Sequence, residues 1–514
     1  MFDSAGRQYI RNIKPINFRP ILFCALSLFV GVILYRNYPI LSVWTILTPI
    51  FVAFAICVVC YLTFGKEKRY TVLTTSAVCF IFILIGMLCL GLKVNSTTSK
   101  VVASGYYTVV GEVKDVSYKD GGYYATLTDC TYNGDEGGDF YTYKLQTKVE
   151  LYDIVEIKCY VKNDKIVKGE KFSHRIISEW SNYASRVDFV RVLGKSGSVA
   201  SRFKTRTDTI FKKILGEDFG ILSALLRGDD SEMRQTVELF RFVGIAHIFA
   251  VSGLHIGLIF TALSFIFGKL KINRIIKTVS ITLMLIFYSY LCGFSPSSLR
   301  ATIMCSCMMI SRLLGQKHDG INALSVAGII VVTTNATDLF SVGFILSFTI
   351  CFSILVLAPP IKSVLSFMPN EFSSSLSVLF ASQAGVLPLS IKYFGGFPLV
   401  SFFANFLLLP IVSILYYVTV IGVIICLILP INEHIALFIP QILTVGIKGV
   451  TEFMTNFPLV LDYMSTPLAI VYYALLLCVS DFINIPKKAK FSCGTIILVL
   501  VLFVAVRSFF GVPT

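Results

Sequence analysis

The sequence predicts a polytopic α-helical membrane protein with an inserted extracytoplasmic OB-like β-barrel domain. Of its 514 residues, 55% are hydrophobic and only 15% charged, at a mean hydropathy of +0.77, too apolar for a soluble surface. Apolar runs of about 18 or more residues recur along the chain, the length a helix needs to cross a roughly 30 Å hydrocarbon core. One long stretch, from Lys93 to about Lys213, is mostly polar and has no place in lipid. The length is therefore spent on many spans and not on several soluble domains.

Residues 1–92 read as three transmembrane helices, at Ile21–Tyr35, Ile40–Phe64 and Thr71–Leu92. The first follows Arg7, Arg11, Lys14 and Arg19 and is long enough for a signal peptide. No small-residue cleavage site comes after it and a second span begins at once, so it reads as a retained helix. Positive residues at the N-terminus and in GKEKRY (Gly65–Tyr70) put both in the cytoplasm, and the polar region then lies outside.

Residues 93–180 alternate polar with β-branched or aromatic residues, as in YYTVVGEVKDVSY, YYATLTDCTY and DIVEIKCYVKN, separated by DGG and NGDEGG turns. About five short strands in about 70 residues suit a small barrel, with the OB-fold as leading candidate. Cys130 and Cys159 fall here; a disulfide between them is expected as one of two outcomes, since spacing alone does not decide it. Most of the other cysteines lie in apolar segments, as packing residues. The tyrosines between Tyr106 and Tyr160 serve strand packing or offer stacking platforms for bases.

Residues 181–216 turn basic, and from about Tyr183 to Lys213 the pattern reads as an amphipathic interfacial helix carrying Arg186, Arg191, Arg202, Lys204 and Arg206. The net charge is +15. Cytoplasmic loops account for part of it, but positive charge on the outer side runs against the topological bias. It points to an anionic partner, either membrane lipid or nucleic acid.

Residues 217–514 read as a bundle of further spans. Polar groups within spans cost about 2.5–3.5 kcal/mol each on insertion scales, so they mark function or pairing. The stretch HIFAVSGLHIGLI (His247–Ile259) holds His247, Ser252, Gly253, His255 and Gly257 inside an apolar run. It reads equally as an unwound turn lining a water-filled space or as polar and small residues that pack helices together. About 80° apart on an ideal helix, the two histidines do not form a metal pair. Arg300 in SPSSLRA and Asp338 in TDLFSVGFILSF are further anomalies, Arg300 also reading as a snorkelling residue. Gln383, Pro388, Asn405 and Pro410 interrupt apolar runs and predict broken helices, the long element Phe397–Pro430 above all.

Five stretches in order, LLRGDDSEM (Leu225–Met233), GIAHIFAVSGLHIGL (Gly244–Leu258), SPSSLRATIM (Ser295–Met304), TDLFSVGFILSF (Thr337–Phe348) and AGVLPLSIKYFGGFPLVSFFANFLLLP (Ala384–Pro410), resemble the ComEC competence proteins. The resemblance runs from about Tyr106 to the C-terminus. It implies an inner-membrane channel for uptake of single-stranded DNA during natural transformation, in the bacterial cytoplasmic membrane, with the outer domain receiving the strand. His247, Ser252, Gly253, His255, Gly257, Arg300, Asp338 and Asn405 are the pore candidates, and Arg186, Arg191, Arg202, Lys204 and Arg206 the DNA-binding candidates.

Beside longer family members, which carry a metallo-β-lactamase-like domain, the resemblance implies a short form without one. No HxHxDH-like cluster exists among its 5 histidines and there is no GxxxxGK[ST] loop. Neither enzymatic activity, a metal nor a cofactor is expected, and a separate DNA receptor, nuclease and cytoplasmic motor are expected as partners. Anionic lipid and a homo-oligomeric assembly remain open as further partners. The competing readings are a small-solute or ion transporter whose outer domain is a cap, and a membrane scaffold for other competence proteins.

Overall fold

The computed structural model describes residues 19–37, 66–119, 121–142, 144–161, 182–229, 233–249, 251–429, 431–457, 459–483 and 486–510. The chain divides into two compact units. The larger comprises Pro20–Ser347 with Leu408–Phe453, the smaller Met1–Arg19, Phe348–Leu407 and Met454–Thr514. Among the described residues six helices are long and apolar enough to cross a membrane, in keeping with a polytopic membrane protein.

The larger unit opens with α1 (Pro20–Asn37) and α2 (Lys66–Thr98). They pack closely because Gly31 and Gly86 lack side chains: a Cβ on either would run into the other helix's backbone, at Ile83 and Leu28 respectively. The expected span at Ile40–Phe64 and the basic N-terminus lie outside the described residues.

Six strands follow: β1 (Gly105–Lys119), β2 (Gly122–Tyr132), β3 (Asp135–Glu136), β4 (Phe140–Tyr141), β5 (Asp153–Val161) and β6 (Asn182–Lys195). The sheet order is β1-β5-β6-β4-β2-β3, and β2 also pairs with β1. Burial along β5 alternates strictly, with Val155, Ile157, Cys159 and Val161 buried and Lys158 exposed, the period-two pattern of a strand with one face in a core. That core gathers Val109, Val113, Leu127, Tyr132 and Phe140 from the neighbouring strands.

β6 corrects the expectation of a helix from Tyr183. Val187, Val190 and Val192 are interspersed with Arg186, Asp188 and Arg191, and the whole of β5 is available as an antiparallel partner, from Asp153↔Lys195 to Val161↔Ala184. β-Branched residues beside a long partner strand outweigh the weak helical reading.

The expected disulfide is also corrected, for Cys130 and Cys159 are both free and buried. Cys130 lies beside Gly111 of β1, whereas Cys159 pairs with Tyr107. Four residues of strand rise, about 13 Å, separate those registers, beyond the reach of a disulfide. Burial pushes both thiols up to about 12.

Helices complete the unit: α3 (Val199–Leu215), α4 (Phe219–Arg227), α5 (Arg234–Val243), α6 (Gly253–Lys269), α7 (Arg274–Leu291), α8 (Pro296–Leu313), α9 (Gly320–Thr334) and the start of α10 (Val342–Val364). After α11 (Asn370–Phe394), the later part of α12 (Val400–Ile428) joins it with α13 (Glu433–Ala436) and most of α14 (Phe438–Met454).

α3 is amphipathic, yet its apolar face, with Phe211 and Ile214, is buried in protein. Asp218 near its end accepts from Lys448 of α14 at 2.9 and 3.0 Å.

The smaller unit holds the rest of α10, α11, the start of α12, α15 (Thr466–Val479) and α16 (Lys487–Phe510), with a two-stranded ribbon of β7 (Phe397–Pro398) and β8 (Val460–Leu461). The breaks expected at the prolines are absent: α11 runs through Pro388 in this unit, and α12 through Pro410 in the larger one. At Pro388 the reason is visible. A proline there leaves the Ala384 carbonyl without its helical N–H, and Tyr472 of α15 donates to that carbonyl at 2.9 Å, with Tyr473 on Gly385 at 3.0 Å. Neighbouring hydroxyls thus satisfy what the proline frees, and the helix continues.

Candidate functional site

The helix is broken only before Gly253, with His247 in a short turn and Gly253, His255 and Gly257 inside the first turns of α6. α5 ends at Gly244, whose φ of 80° is a left-handed cap. A 3-10 turn follows at Ala246–Ile248, and Ser252 in extended conformation starts α6. Phe249 anchors the turn by stacking on Phe240, with centroids 4.4 Å apart. His247 is exposed, whereas Ile248 and Phe249 are buried.

Ser252 and His255 cap α6 reciprocally. Leu254 N–H donates to Ser252 Oγ at 3.3 Å, and Ser252 N–H donates to His255 Nδ1 at 3.2 Å. Histidine fills the role that Glu or Gln takes in the usual capping box. With Nδ1 accepting, the neutral ring carries its proton on Nε2, which is buried and without a partner among the described residues. The ring is fully buried, edge-on to Tyr416 with centroids 5.0 Å apart. Tyr416 donates to the Tyr288 hydroxyl at 2.9 Å, and Tyr288 to the Leu226 carbonyl at 2.9 Å. His255 is therefore a packed positioning group at the head of α6.

Gly253 explains itself through Arg300. A Cβ there would stand 2.5 Å from Arg300 Nη2, so only glycine lets the guanidinium lie against the first turn of α6. Arg300 Nε donates to Ser347 Oγ at 2.9 Å, and Ser347 donates to Ser297 Oγ at 3.0 Å. Gly257 has open space where a side chain would be.

Beside this element lies a buried ionic cluster that the sequence reading missed. Lys204 Nζ is 2.8 Å from Asp208 and 2.9 Å from Asp229, and Arg227 pairs with Asp208 at 2.6 Å and Asp229 at 3.8 Å. Arg227 also donates to Thr207 and Ser223. Burial opposes the charge on Lys204, but the two aspartates outweigh it and hold its ammonium above its ordinary range. Gly228, between Arg227 and Asp229, has φ 75° and touches Val251, where a Cβ would stand 2.8 Å from the backbone nitrogen. The cluster so fixes the turn against which the residues before α6 rest. Its one signal was LLRGDDSEM, which places opposite charges next to each other in an apolar setting.

Lys204 is consequently corrected as a DNA-binding candidate: it is 2% exposed and its charge is spent on carboxylates. Arg202 and Arg206 of α3, and Arg186 and Arg191 of β6, are exposed. The register puts Tyr106, Tyr160 and Arg186 in one cross-strand row, Thr108, Lys158 and Phe189 in the next, and Glu156 with Arg191 beyond. A bulge in β6 between the partners of Lys158 and Cys159 brings Phe189 onto the same face as Arg186. Tyr106 is 65% exposed and meets Tyr160 edge-on at 5.1 Å; Arg186 is held by Asp188 at 2.8 Å.

Two other candidates stand apart. Asp338, in the 3-10 turn Ala336–Phe340, accepts from Asn335 at 2.7 Å, and burial pushes its carboxyl up to about 6. No ion pair joins it to Arg300 among the described residues. Asn405 belongs to the smaller unit, is buried, and donates to the Ser401 carbonyl at 2.7 Å. Among the described residues no group of three or more His, Cys, Asp or Glu is arranged to hold a metal ion.

A family model described as Competence protein matches residues 225–484. ComE operon protein 3 of Bacillus subtilis (strain 168) is 29% identical over 192 residues, covering 37% of this chain and 24% of that protein. The uncharacterized protein MG316 homolog of Mycoplasma pneumoniae is 29% identical over 133 residues, covering 24% of this chain and 33% of that protein. The matched stretches thus span a third or less of those relatives. No solved structure matches.

Proposed function

The chain belongs to the ComEC competence protein family, and from that premise we propose that it is the membrane channel subunit through which single-stranded DNA enters during natural transformation. One observation carries the DNA part of this reading: the exposed face of β1, β5 and β6, where Tyr106, Tyr160 and Phe189 alternate with Lys158, Arg186 and Arg191. Bases stack on aromatic faces with little regard for sequence, at about 1–3 kcal/mol each, while cations follow the phosphates. The pairing circuit β1–β2–β4–β6–β5–β1, with a parallel step only between β4 and β6, supports an OB-like reading of this domain, a fold that suits oligonucleotides.

The channel part rests on the break between α5 and α6, with its 3-10 turn at Ala246–Ile248 and extended Ser252, since irregular backbone within a bundle is tolerated where it lines a cavity or is buried in protein. In this reading the outer domain captures the strand, and the residues around the head of α6 meet it within the bundle. The protein lies in the bacterial cytoplasmic membrane with its N-terminus inside. A receptor, a nuclease and a motor act from other chains.

The test is binding of fluorescent oligothymidylate to the full-length chain in lipid nanodiscs across a salt series. The reading predicts log affinity falling with log salt, about 0.7 per phosphate contacted, and weaker binding by a Tyr106→Ala/Phe189→Ala double variant. A slope near zero would refute it.

A further inference from the structure

We propose that Arg300, with the first turn of α6 and the hydroxyls of Ser297 and Ser347, forms a phosphodiester-binding site within the helical bundle, one that grips the backbone of the passing strand. This deepens the channel reading and rests on it. The argument begins from charge. Arg300 is 9% exposed, and a guanidinium does not shed its proton. Burying such a cation alone is costly, so native proteins supply it with a counter-charge. Here none is supplied: Nε goes to Ser347 Oγ at 2.9 Å, Nη1 has only the Met304 sulfur at 3.9 Å, and no carboxylate pairs with it among the described residues.

Nη2 has no hydrogen-bond partner among the described residues and points at Gly253, the residue that opens α6. A helix of 17 residues presents at that end N–H groups without intrahelical acceptors and the positive end of its dipole. The cation and the helix terminus thus repel one another, unless an anion lies between or beside them. The two hydroxyls form a relay, Arg300 to Ser347 to Ser297, which keeps the guanidinium plane fixed and leaves its outer nitrogen to the ligand. Donors of this kind, planar and without a nearby acid, match a phosphate's oxygens. Gly253 is required because any side chain would occupy the place of Nη2. A phosphodiester fits better than a tightly held free anion, because a translocating strand must be gripped and then released, and a neutralised cation would otherwise remain occupied.

The experiment uses the full chain in zwitterionic nanodiscs with fluorescent oligothymidylate, comparing wild type with Arg300→Gln, Arg300→Lys and Gly253→Ala. Loss of this contact predicts a salt slope flatter by about 0.7 and about tenfold weaker binding at low salt for Arg300→Gln. Arg300→Lys keeps the slope with intermediate affinity, and provides the comparison should Arg300→Gln fail to fold. Gly253→Ala weakens binding with Arg300 still present. A methylphosphonate oligonucleotide, which lacks backbone charge, should bind wild type and Arg300→Gln alike.

Equal slopes for wild type and Arg300→Gln, with DNA import by wild-type cells intact, would overturn the site and leave the channel reading standing. Failure of the wild type both to bind and to import DNA would overturn the two together. A third arm repeats the series in phosphatidylglycerol discs. If Arg300→Gln abolishes a stabilisation by that lipid and leaves the oligonucleotide slope unchanged, the phosphate belongs to lipid and the proposal for the strand is wrong.

Discussion

Two buried cationic sites lie in the larger unit, and they are built on opposite plans. Around Lys204 and Arg227 every positive charge meets Asp208 or Asp229, with Thr207 and Ser223 filling remaining valences. Arg300 meets one serine, Ser347, itself bonded to Ser297, together with a sulfur and a helix terminus. The first arrangement is electrically closed and holds backbone elements in place, its Gly228 braced against Val251. The second is open, and an open buried cation is a poor structural device but a good receptor for a transient anion. The same chemical group thus serves architecture in one place and, on our reading, transport in the other.

Breaking the closed site gives the largest expected effect. Asp229→Ala leaves Lys204 and Arg227 sharing a single carboxylate at 3–10% side-chain exposure, and removing one partner of a buried pair costs about 3–5 kcal/mol. Thermal unfolding of the purified chain should show a large fall; an unchanged midpoint would mean the cluster is not a structural lock. His255→Ala comes next: it removes one half of the α6 cap, about 1 kcal/mol, and empties the space beside Tyr416. Import at matched protein level should drop with it, and unchanged import would remove His255 from the path.

A smaller effect belongs to the outer domain. Burial alone would raise the Glu150 carboxyl, but Lys195, 2.9 Å away, outweighs this and holds it at about 2, against 4.5 ordinarily. A depressed carboxylate stabilises the fold above its unfolded value and loses that contribution as pH falls toward about 2. Lys195→Met should flatten the acid limb of the stability profile between about pH 4.5 and 2, and an unaltered limb would deny the pair that role. The smallest effect on folding is expected where the loss of function is greatest. Arg300→Met removes an uncompensated charge, so its midpoint should equal or exceed that of the wild type while import fails; a midpoint lowered as far as that of Asp229→Ala would make Arg300 structural after all.

The same contrast explains what could be read from the chain. Hydropathy announced a membrane bundle, and Ser252-Gly253 within an apolar run announced the break before α6. Arg300 stood out for the reason that it matters, a charge in apolar surroundings with no acid nearby in sequence. Lys204 misled because a basic run looks uniform in sequence, while the acids that claim one member come from Asp208, four residues on, and from Asp229 beyond the next helix. Pro388 misled because the hydroxyl that repairs its helix is 84 residues away, at Tyr472. Arg186 and Arg191 were legible as exposed cations, but their rows with Tyr106, Tyr160 and Phe189 depend on register and a bulge, which only tertiary pairing fixes.

The central claim, that this chain admits DNA, is tested most directly by following labelled DNA into a nuclease-protected cytoplasmic pool, in competent cells with and without a clean deletion of the chain. The account predicts that the deletion still binds DNA at the surface and imports none. Unchanged import by the deletion would contradict it.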